Sequence, residues 1–382
     1  MDFGLTEEQV ELAGLTRKIL AERDAPWGDL AAAGVLAAGL PAALGGAGLG
    51  LLEQCSVLIE LGRSASSVPY LASVVLGAGA LAAFGTAGQL QRWAVPAGQG
   101  AVVLTAALAE EDGDDPRVPS ARAERAGGQW TLTGVKTAVD AAPGADLFLV
   151  PCASPDGVLV FLVAPSDAGV RVEPQRLTDL APAGRVVLSR VVLDDDRVLG
   201  PGRGAEVTRW LVSRATVGLC AAQAGVVERA LELTAEYARS REQFGRPIGS
   251  FQAVAQRLAD AYVDVEAARL TMWQAAWRLA AGESGPAVDA VVATAKFWAA
   301  DAGHRVAHTA VHVHGGLGID TSYPVHRYFV AAKHNEFTLG GATAQLRRIG
   351  AALARGGLAR GGLAGGGLAR GGLGEAAHPI LP

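Results

Sequence analysis

Hydrophobic and polar positions change their spacing twice along the chain. Up to about residue 97 the pattern is helical, and Thr6 followed by acids predicts the N-cap of the first helix. From about 98 to 203, short runs of β-branched residues such as WTLTGVKTAV and GVLVFLVAP alternate with turn residues, which predicts strands. Helical spacing then returns, so the predicted order is helices, strands and helices.

The helices of the last region are predicted to be long and largely buried. Apolar residues at intervals of three or four predict one buried face of a helix: Val254, Leu258, Ala261, Val265, Ala268, Met272, Ala276 and Leu279. The preceding helix shows the same spacing at Val226, Ala230, Leu233 and Tyr237. Long apolar helices in series predict a helical bundle, and such faces can also bury against another subunit.

The predicted fold class is therefore α+β, with a β-domain between two helical domains. The predicted limits are 1–97 for the N-terminal helical domain, 98–203 for the middle β-domain, 204–352 for the C-terminal bundle and 353–382 for a Gly-rich tail. The tail repeats units such as ARGGL, and its glycines disfavour a helix. It is interpreted as a spacer; contact of its arginines with an anionic partner is the alternative.

Composition, charge and the cysteine count indicate the compartment in which the protein is expected. The chain has 382 residues, 50% hydrophobic and 19% charged, and a net charge of −5, which gives no general affinity for nucleic acid. Cys55, Cys152 and Cys220 are too few and too far apart for a disulfide framework. The acidic, amphipathic start lacks the pattern of a signal peptide, and Gly and Pro interrupt the apolar stretches. A soluble, cytoplasmic protein with no membrane span is expected.

Two segments carry candidate chemistry, and the first is REQFGRPIGSFQ, 241–252. Arg241 can bind a phosphate through two hydrogen bonds, and Phe244 offers an aromatic face. Gln252 opens the next helix, whose first amides favour an anion. On the residues alone, a capped turn between helices explains this segment equally well.

The second segment is HVHGGLGIDTSYPVHRYFVAAK, 312–333. Gly315, Gly316 and Gly318 allow close approach of the backbone to a ligand, as a pyrophosphate site requires. Histidines 304, 308 and 312 share a helix face, which raises a metal hypothesis. However, no cysteine lies near and the nearest acids fit no familiar ligand spacing, so no metal site is predicted.

Together these segments resemble the acyl-CoA dehydrogenase family. SREQFGRPIGSFQAVAQ is similar to the family motif R-x-x-F-G-x-x-I/L-x-x-x-Q, and HVHGGLGIDTSYPVHRYFVAAKHNE to its Q-x-x-G-G and Y-P-V-x-R segment. The resemblance covers about residues 2–350, and the family has the helix–β–helix order predicted above. It is strongest to actinobacterial members that act on steroid side-chain CoA thioesters and form α2β2 heterotetramers.

The resemblance implies FAD bound between subunits. The family's cofactor contacts fall in two groups: Arg241, Gln243, Phe244 and Gln252, and then His312, Gly315, Gly316 and Gly318. They contact the FAD held mainly by a neighbouring subunit. In contrast, LTAALAEEDGDDP departs from the family's T-E-P-x-A-G-S loop, and KTAVD, 136–140, lacks the aromatic residue of its W-I-T segment. Both departures argue against flavin binding by this chain's own β-domain.

The resemblance also implies where a catalytic carboxylate belongs. Removal of the α-proton of an acyl-CoA needs a base, and the family's two positions for it fall on Leu339 and Ala215. The leading hypothesis is a subunit that helps to bind FAD while a homologous partner supplies the base. One alternative is a self-sufficient homo-oligomer that uses an unusual base, with Glu336 as the nearest candidate. The other is a non-catalytic scaffold of the same fold.

Overall fold

The structure is a computed structural model that describes residues 4–22 and 26–354. Its N-terminal region is helical, as expected: α1 (Glu7–Glu22), α2 (Trp27–Ala32), α3 (Leu51–Arg63), a π-helical segment Leu71–Ala78 that continues as α4 (Gly79–Phe84), α5 (Ala87–Gln89) and α6 (Val95–Gly98). Thr6 caps α1, because its hydroxyl accepts a hydrogen bond from the Gln9 amide at 3.3 Å. The Gln9 side chain accepts one in return from the Thr6 amide at 2.8 Å.

The middle region forms one eight-stranded sheet within the described residues. Its strands are β1 (Leu104–Ala106), β2 (Arg122–Ala126), β3 (Gln129–Asp140), β4 (Leu147–Ser154), β5 (Gly157–Val163), β6 (Val170–Arg176), β7 (Pro182–Leu193) and β8 (Val198–Leu199). They lie in the order β6-β7-β3-β2-β4-β5-β8, and β1 pairs with β4 in parallel.

A bulge near the end of β3 has consequences for the cavity described below. The pairing of β3 with β7 shifts between Lys136 and Val139, and Ala138 adopts a φ of 48°. Because a bulge breaks the alternation of side chains, Lys136 and Val139 are both buried. Ala138 and Asp140 remain accessible at this end of the strand.

The C-terminal region is a bundle of long helices: α7 (Gly204–Ser240), α8 (Gln252–Ala280), α9 (Pro286–His314), α10 (Pro324–Phe337) and α11 (Ala342–Ala354). The predicted face of α8 is buried from Ala261 to Leu279, whereas Val254 and Leu258 are half-buried. By length and composition, α7 passes the test for a membrane span. However, 78% of its apolar window is buried inside the protein, as in the core helix of a soluble fold.

Buried polar side chains join the helices of this bundle. The Gln223 amide of α7 donates to the carbonyls of Ala299 and Ala332 and accepts from Asn335 at 2.9 Å. Lys296 of α9 is fully buried and donates to the carbonyl of Glu336 at 3.1 Å, near the end of α10. These contacts fix α10 and the loop that follows it against α7 and α9.

The α+β fold class with helical, sheet and helical domains is confirmed. The exact domain limits stay predictions. The predicted tail, 353–382, lies outside the described residues except for Leu353 and Ala354, which end α11.

Candidate functional site

A cavity of about 440 Å³ lies where the three regions meet. Its walls are mostly apolar and come from the Leu71–Ala78 segment, β1, α7 and the loop after α10. Six polar residues also line it: Asp140, Arg176, Thr178, Lys333, His334 and Thr338. This volume and this mixture are typical of a small-molecule site.

The two positions that the sequence resemblance predicts for a carboxylate, Ala215 and Leu339, both line this one cavity. Ala215 is 4% exposed on α7, and Leu339 lies in the loop after α10 with a φ of 60°. Gln345 holds this loop by donating to the Leu339 carbonyl at 3.0 Å, and Arg348 donates to the same oxygen at 3.2 Å. The fold thus brings together two sites that are far apart in the sequence, and both carry hydrocarbon side chains.

Glu336 is not among the residues that line the cavity. Its carboxylate accepts a hydrogen bond from the Lys333 ammonium at 2.5 Å and lies 3.2 Å from His304 Nδ1. These partners hold Glu336 in an ion pair on α10, with a side chain that is 12% exposed. These contacts support a structural role for Glu336, which does not line the cavity.

Asp140 is the carboxylate that the sequence analysis missed. It lines the cavity at the end of β3, and its carboxyl makes no hydrogen bond in the part of the chain that the structure describes. Enclosure by the protein raises the pKa of Asp140; His334 opposes this effect, and the negative charge of Asp179 adds to it. The available signal was an acid inside KTAVD, the segment already noted for its missing aromatic residue.

Segment 241–252 forms an exposed hairpin between α7 and α8. Its strands β9 (Glu242–Gln243) and β10 (Arg246–Pro247) pair antiparallel, and Phe244 and Gly245 turn the chain with φ values of 54° and 75°. Positive φ at both central residues is the type I′ geometry that two-residue hairpins favour. Phe244 is 93% exposed and meets Phe251 edge-on.

The polar candidates of this segment also face outward. Arg241, Gln243 and Gln252 are exposed, and the guanidinium of Arg241 has no ion pair among the described residues. Gln252 is the first residue of α8, as predicted. None of these three side chains lines the cavity, so they are accessible to a ligand or partner outside it.

The glycine-rich turn 315–319 is tied to the end of α7 by stacked rings. His314 is buried and stacks on Tyr237, with ring centroids 4.4 Å apart, while the Tyr237 carbonyl accepts a hydrogen bond from the Arg241 amide. Gly318 is buried, and a Cβ there would lie 2.7 Å from the Val311 Cα. The two cofactor segments predicted from the sequence thus lie at neighbouring ends of helices, and His312, Gly315 and Gly316 are exposed.

The β-domain of this chain does not fit a flavin. Glu110, in the loop that departs from the family motif, pairs with the buried Lys136 at 2.6 Å and accepts hydrogen bonds from Ser120. The Glu110 carboxylate is therefore already occupied by contacts with Lys136 and Ser120 inside the β-domain. From the segment KTAVD, the cavity next to it is lined by Ala138 and the acid Asp140, and this segment has no aromatic ring. By contrast, the outward-facing amides, guanidinium and aromatic ring of 241–252 fit an anionic, aromatic cofactor.

Comparison with known proteins assigns a family. The sequence model of the acyl-CoA dehydrogenase N-terminal domain matches residues 6–101, and that of the C-terminal domain matches 202–354. The acyl-CoA dehydrogenase FadE27 of Mycobacterium tuberculosis is 50% identical over 376 residues, covering 93% of this chain and 99% of the relative.

Solved structures agree with this family. The ChsE4-ChsE5 complex from Mycobacterium tuberculosis contains a chain with a TM-score of 0.86 and 50% identity, covering 93% of this chain and 99% of that one. A Tcur3481-Tcur3483 steroid ACAD variant gives a TM-score of 0.85 at 38% identity, covering 92% and 98%.

Proposed function

This chain belongs to the acyl-CoA dehydrogenase family, whose members are FAD-dependent acyl-CoA oxidoreductases, and we propose that it is the subunit without the catalytic carboxylate. In this proposal a homologous partner supplies the base and most of the substrate pocket. This chain supplies the groups of 241–252 and 312–318 to the FAD between the two subunits. The expected assembly is an α2β2 heterotetramer.

The observation that carries the proposal is the pairing of Ala215 and Leu339 in one cavity. A methyl group and an isobutyl group take no proton, and an α-C–H is too weak an acid to lose its proton without a positioned base. The ion pair of Glu336 with Lys333 removes the nearest substitute. In this proposal the carboxylate therefore comes from outside this chain.

The exposed groups of 241–252 support the proposal that this chain contributes to binding FAD between the subunits. When bound, FAD accepts the hydride that leaves the β-carbon of the acyl group. Arg241 would bind the cofactor's phosphates, and the first amides of α8 would add donors at the positive end of the helix dipole. Phe244 would cover an apolar part of the cofactor, which explains a phenyl ring that is 93% exposed in the single chain.

An association surface accompanies these groups. Tyr262 and Val263 are 60% and 64% exposed on α8, next to the hairpin in sequence, and Ile319 is 68% exposed after the glycine-rich turn. Large apolar side chains in such positions favour burial against another chain. The ChsE4-ChsE5 and Tcur3481-Tcur3483 relatives are complexes by name, which favours a homologous partner over a second copy.

The substrate is proposed to be an acyl-CoA thioester, with a steroid side chain as the acyl group. The steroid assignment follows from the relative named as a steroid ACAD, at 38% identity. Steroid catabolism is the corresponding proposed setting.

A self-sufficient homo-oligomer would need a carboxylate in the cavity. Among the described residues, Asp140 is the carboxylate that lines it. It lies on β3 and not on α7 or the loop after α10, where the resemblance predicts the base. The structure therefore favours the heteromeric proposal over this alternative.

Arg241→Ala in the co-purified complex tests the cofactor role. A charge-assisted hydrogen bond to a phosphate is worth about 1.5–3 kcal/mol, so FAD affinity should fall by about 10- to 100-fold. Arg239→Ala, an exposed arginine two residues earlier, is the matched control and should retain flavin. If Arg241→Ala keeps its flavin as the wild-type complex does, this chain does not hold the cofactor through that residue.

A further inference from the structure

The proposed function leaves this chain's own cavity without a role. The cavity persists although its walls lack a base at Ala215 and Leu339 and an aromatic ring at Ala138. Its buried wall, which includes Leu76, is hydrocarbon. An apolar cavity of about 440 Å³ is large enough for an organic molecule of moderate size.

Charges of both signs surround the cavity, so they select neither an anion nor a cation as the ligand. Asp140 and Asp179 repel an anion, and His334 Nδ1 lies 3.6 Å from Asp179. A cation would meet Arg176, whose side chain is exposed at the rim, and Lys333, whose charge Glu336 already balances. Transfer of a charged group from water to these walls would be costly without a dedicated partner.

Asp140 lines the cavity with a carboxyl that has no hydrogen-bond partner among the described residues, and an uncharged ligand would meet it. The residue is accessible although protein surrounds it, so solvent can reach this end of β3. A ligand that displaces this solvent removes the solvation of a carboxylate. The neutral carboxylic acid then has the lower free energy, and its O–H needs an acceptor.

We propose that this cavity binds an uncharged, predominantly apolar molecule that carries a carbonyl group, and that Asp140 takes up a proton and donates a hydrogen bond to that carbonyl. Binding of the ligand and protonation of Asp140 are then linked. Ligand binding in this cavity does not depend on flavin, so it can be tested independently of the cofactor role of Arg241.

The groups that face Asp140 fix the direction of the pH dependence. Arg176 and Asp179 approach from the end of β6 and the connection to β7, and Lys333 and His334 approach from α10. The residues that line the cavity from α7, β1 and Leu71–Ala78 do not titrate. Because the ligand prefers protonated Asp140, affinity should be highest at low pH. It should fall by up to about tenfold per pH unit as Asp140 ionises.

A suitable probe is Prodan, a neutral naphthyl ketone whose emission shifts to the blue in apolar surroundings. Titration into the full-length chain from pH 5 to 9 should give a blue shift and a dissociation constant that rises with pH. Asp140→Asn keeps a hydrogen-bond donor of the same shape, so it should bind at every pH as tightly as the wild type does at low pH. Asp179→Asn should move the wild-type profile to lower pH, and His334→Gln should move it to higher pH.

Specific results would overturn the proposal. An unchanged pH profile in Asp140→Asn would assign the titration to another group, such as His334. Probe binding that survives Ala215→Phe, which fills the cavity, would place Prodan elsewhere, provided that the melting temperature shows the variant to be folded. Absence of a blue shift in the wild-type chain would contradict a ligand-binding cavity directly, and Asp140→Asn provides the folded comparison if Ala215→Phe does not fold.

Discussion

At the scale of single residues, one buried cation, Lys296, connects α9 to the end of α10. Lys296 is fully buried and donates to the carbonyls of Asn335 and Glu336, near the end of α10. Burial lowers the pKa of Lys296 to about 8 from its ordinary value of 10.5. Folding therefore buries a charged ammonium group close to the loop that carries Leu339, and this burial lowers the free energy of unfolding.

Lys296→Met tests this cost through the pH dependence of stability. The folded-state pKa is depressed, so folding is penalised below pH 8, and the penalty disappears as pH rises towards 10.5. Between pH 7.5 and pH 10 the wild type should gain about 2 kcal/mol of unfolding free energy relative to Lys296→Met. Denaturant unfolding of both proteins at pH 7.5 and pH 10 measures this gain. Subtracting the unfolding free energy of Lys296→Met from that of the wild type removes the contribution of other titrating groups, which both proteins share. A difference that does not change with pH would show that Lys296 keeps its ordinary pKa.

Glu336→Gln separates a structural acid from a catalytic one. Loss of the ion pair with Lys333 should cost about 1 kcal/mol of stability, because both side chains are largely buried. Turnover of the complex should stay within about twofold. Glu266→Gln, which breaks the Arg269 pair on α8, is the matched control. A loss of turnover of 100-fold or more in Glu336→Gln alone would restore it as the base.

At the scale of elements, the sequence pattern predicted the regular buried face of a helix but did not predict an irregularity in a strand. The period of α8 from Ala261 to Leu279 indicated its buried face, because helix packing acts on a regular stripe. The bulge before Val139 carries no such period, since it arises from the pairing of β3 with β7. That bulge leaves Asp140 at the cavity, so the acid in KTAVD could be noticed in the sequence but its position at the cavity could not be predicted from periodicity.

The hairpin gives a prediction at the same scale. Gly245 has a φ of 75°, and a Cβ there would meet nothing within 4 Å, so Gly245→Ala adds only backbone strain of about 1 kcal/mol. Flavin retention by the complex should fall because the turn that presents Phe244 is disturbed. Gly282→Ala is matched, with a φ of 74° and open space, but lies between α8 and α9. It should lose similar stability and retain flavin; equal flavin loss in both variants would contradict a specific role of the hairpin.

At the scale of the whole molecule, three regions converge on one cavity, while the predicted cofactor segment 241–252 is largely exposed and does not line it. The resemblance predicted Ala215 and Leu339 as positions for the base and 241–252 as a cofactor segment, and both assignments stay predictions. Their relation could not be predicted: Ala215 and Leu339 meet only through the packing of α7 against α10. This separation of cavity from cofactor groups is the basis for a subunit that completes a partner's site.

The flavin content of the chain alone, compared with that of the chain co-purified with its homologous partner, tests this account most directly. Absorbance at 450 nm against protein concentration measures bound FAD, and turnover of an acyl-CoA is followed in the same samples. The account predicts little flavin and no turnover in the isolated chain, and both in the complex. Stoichiometric FAD together with turnover by the isolated chain would contradict it.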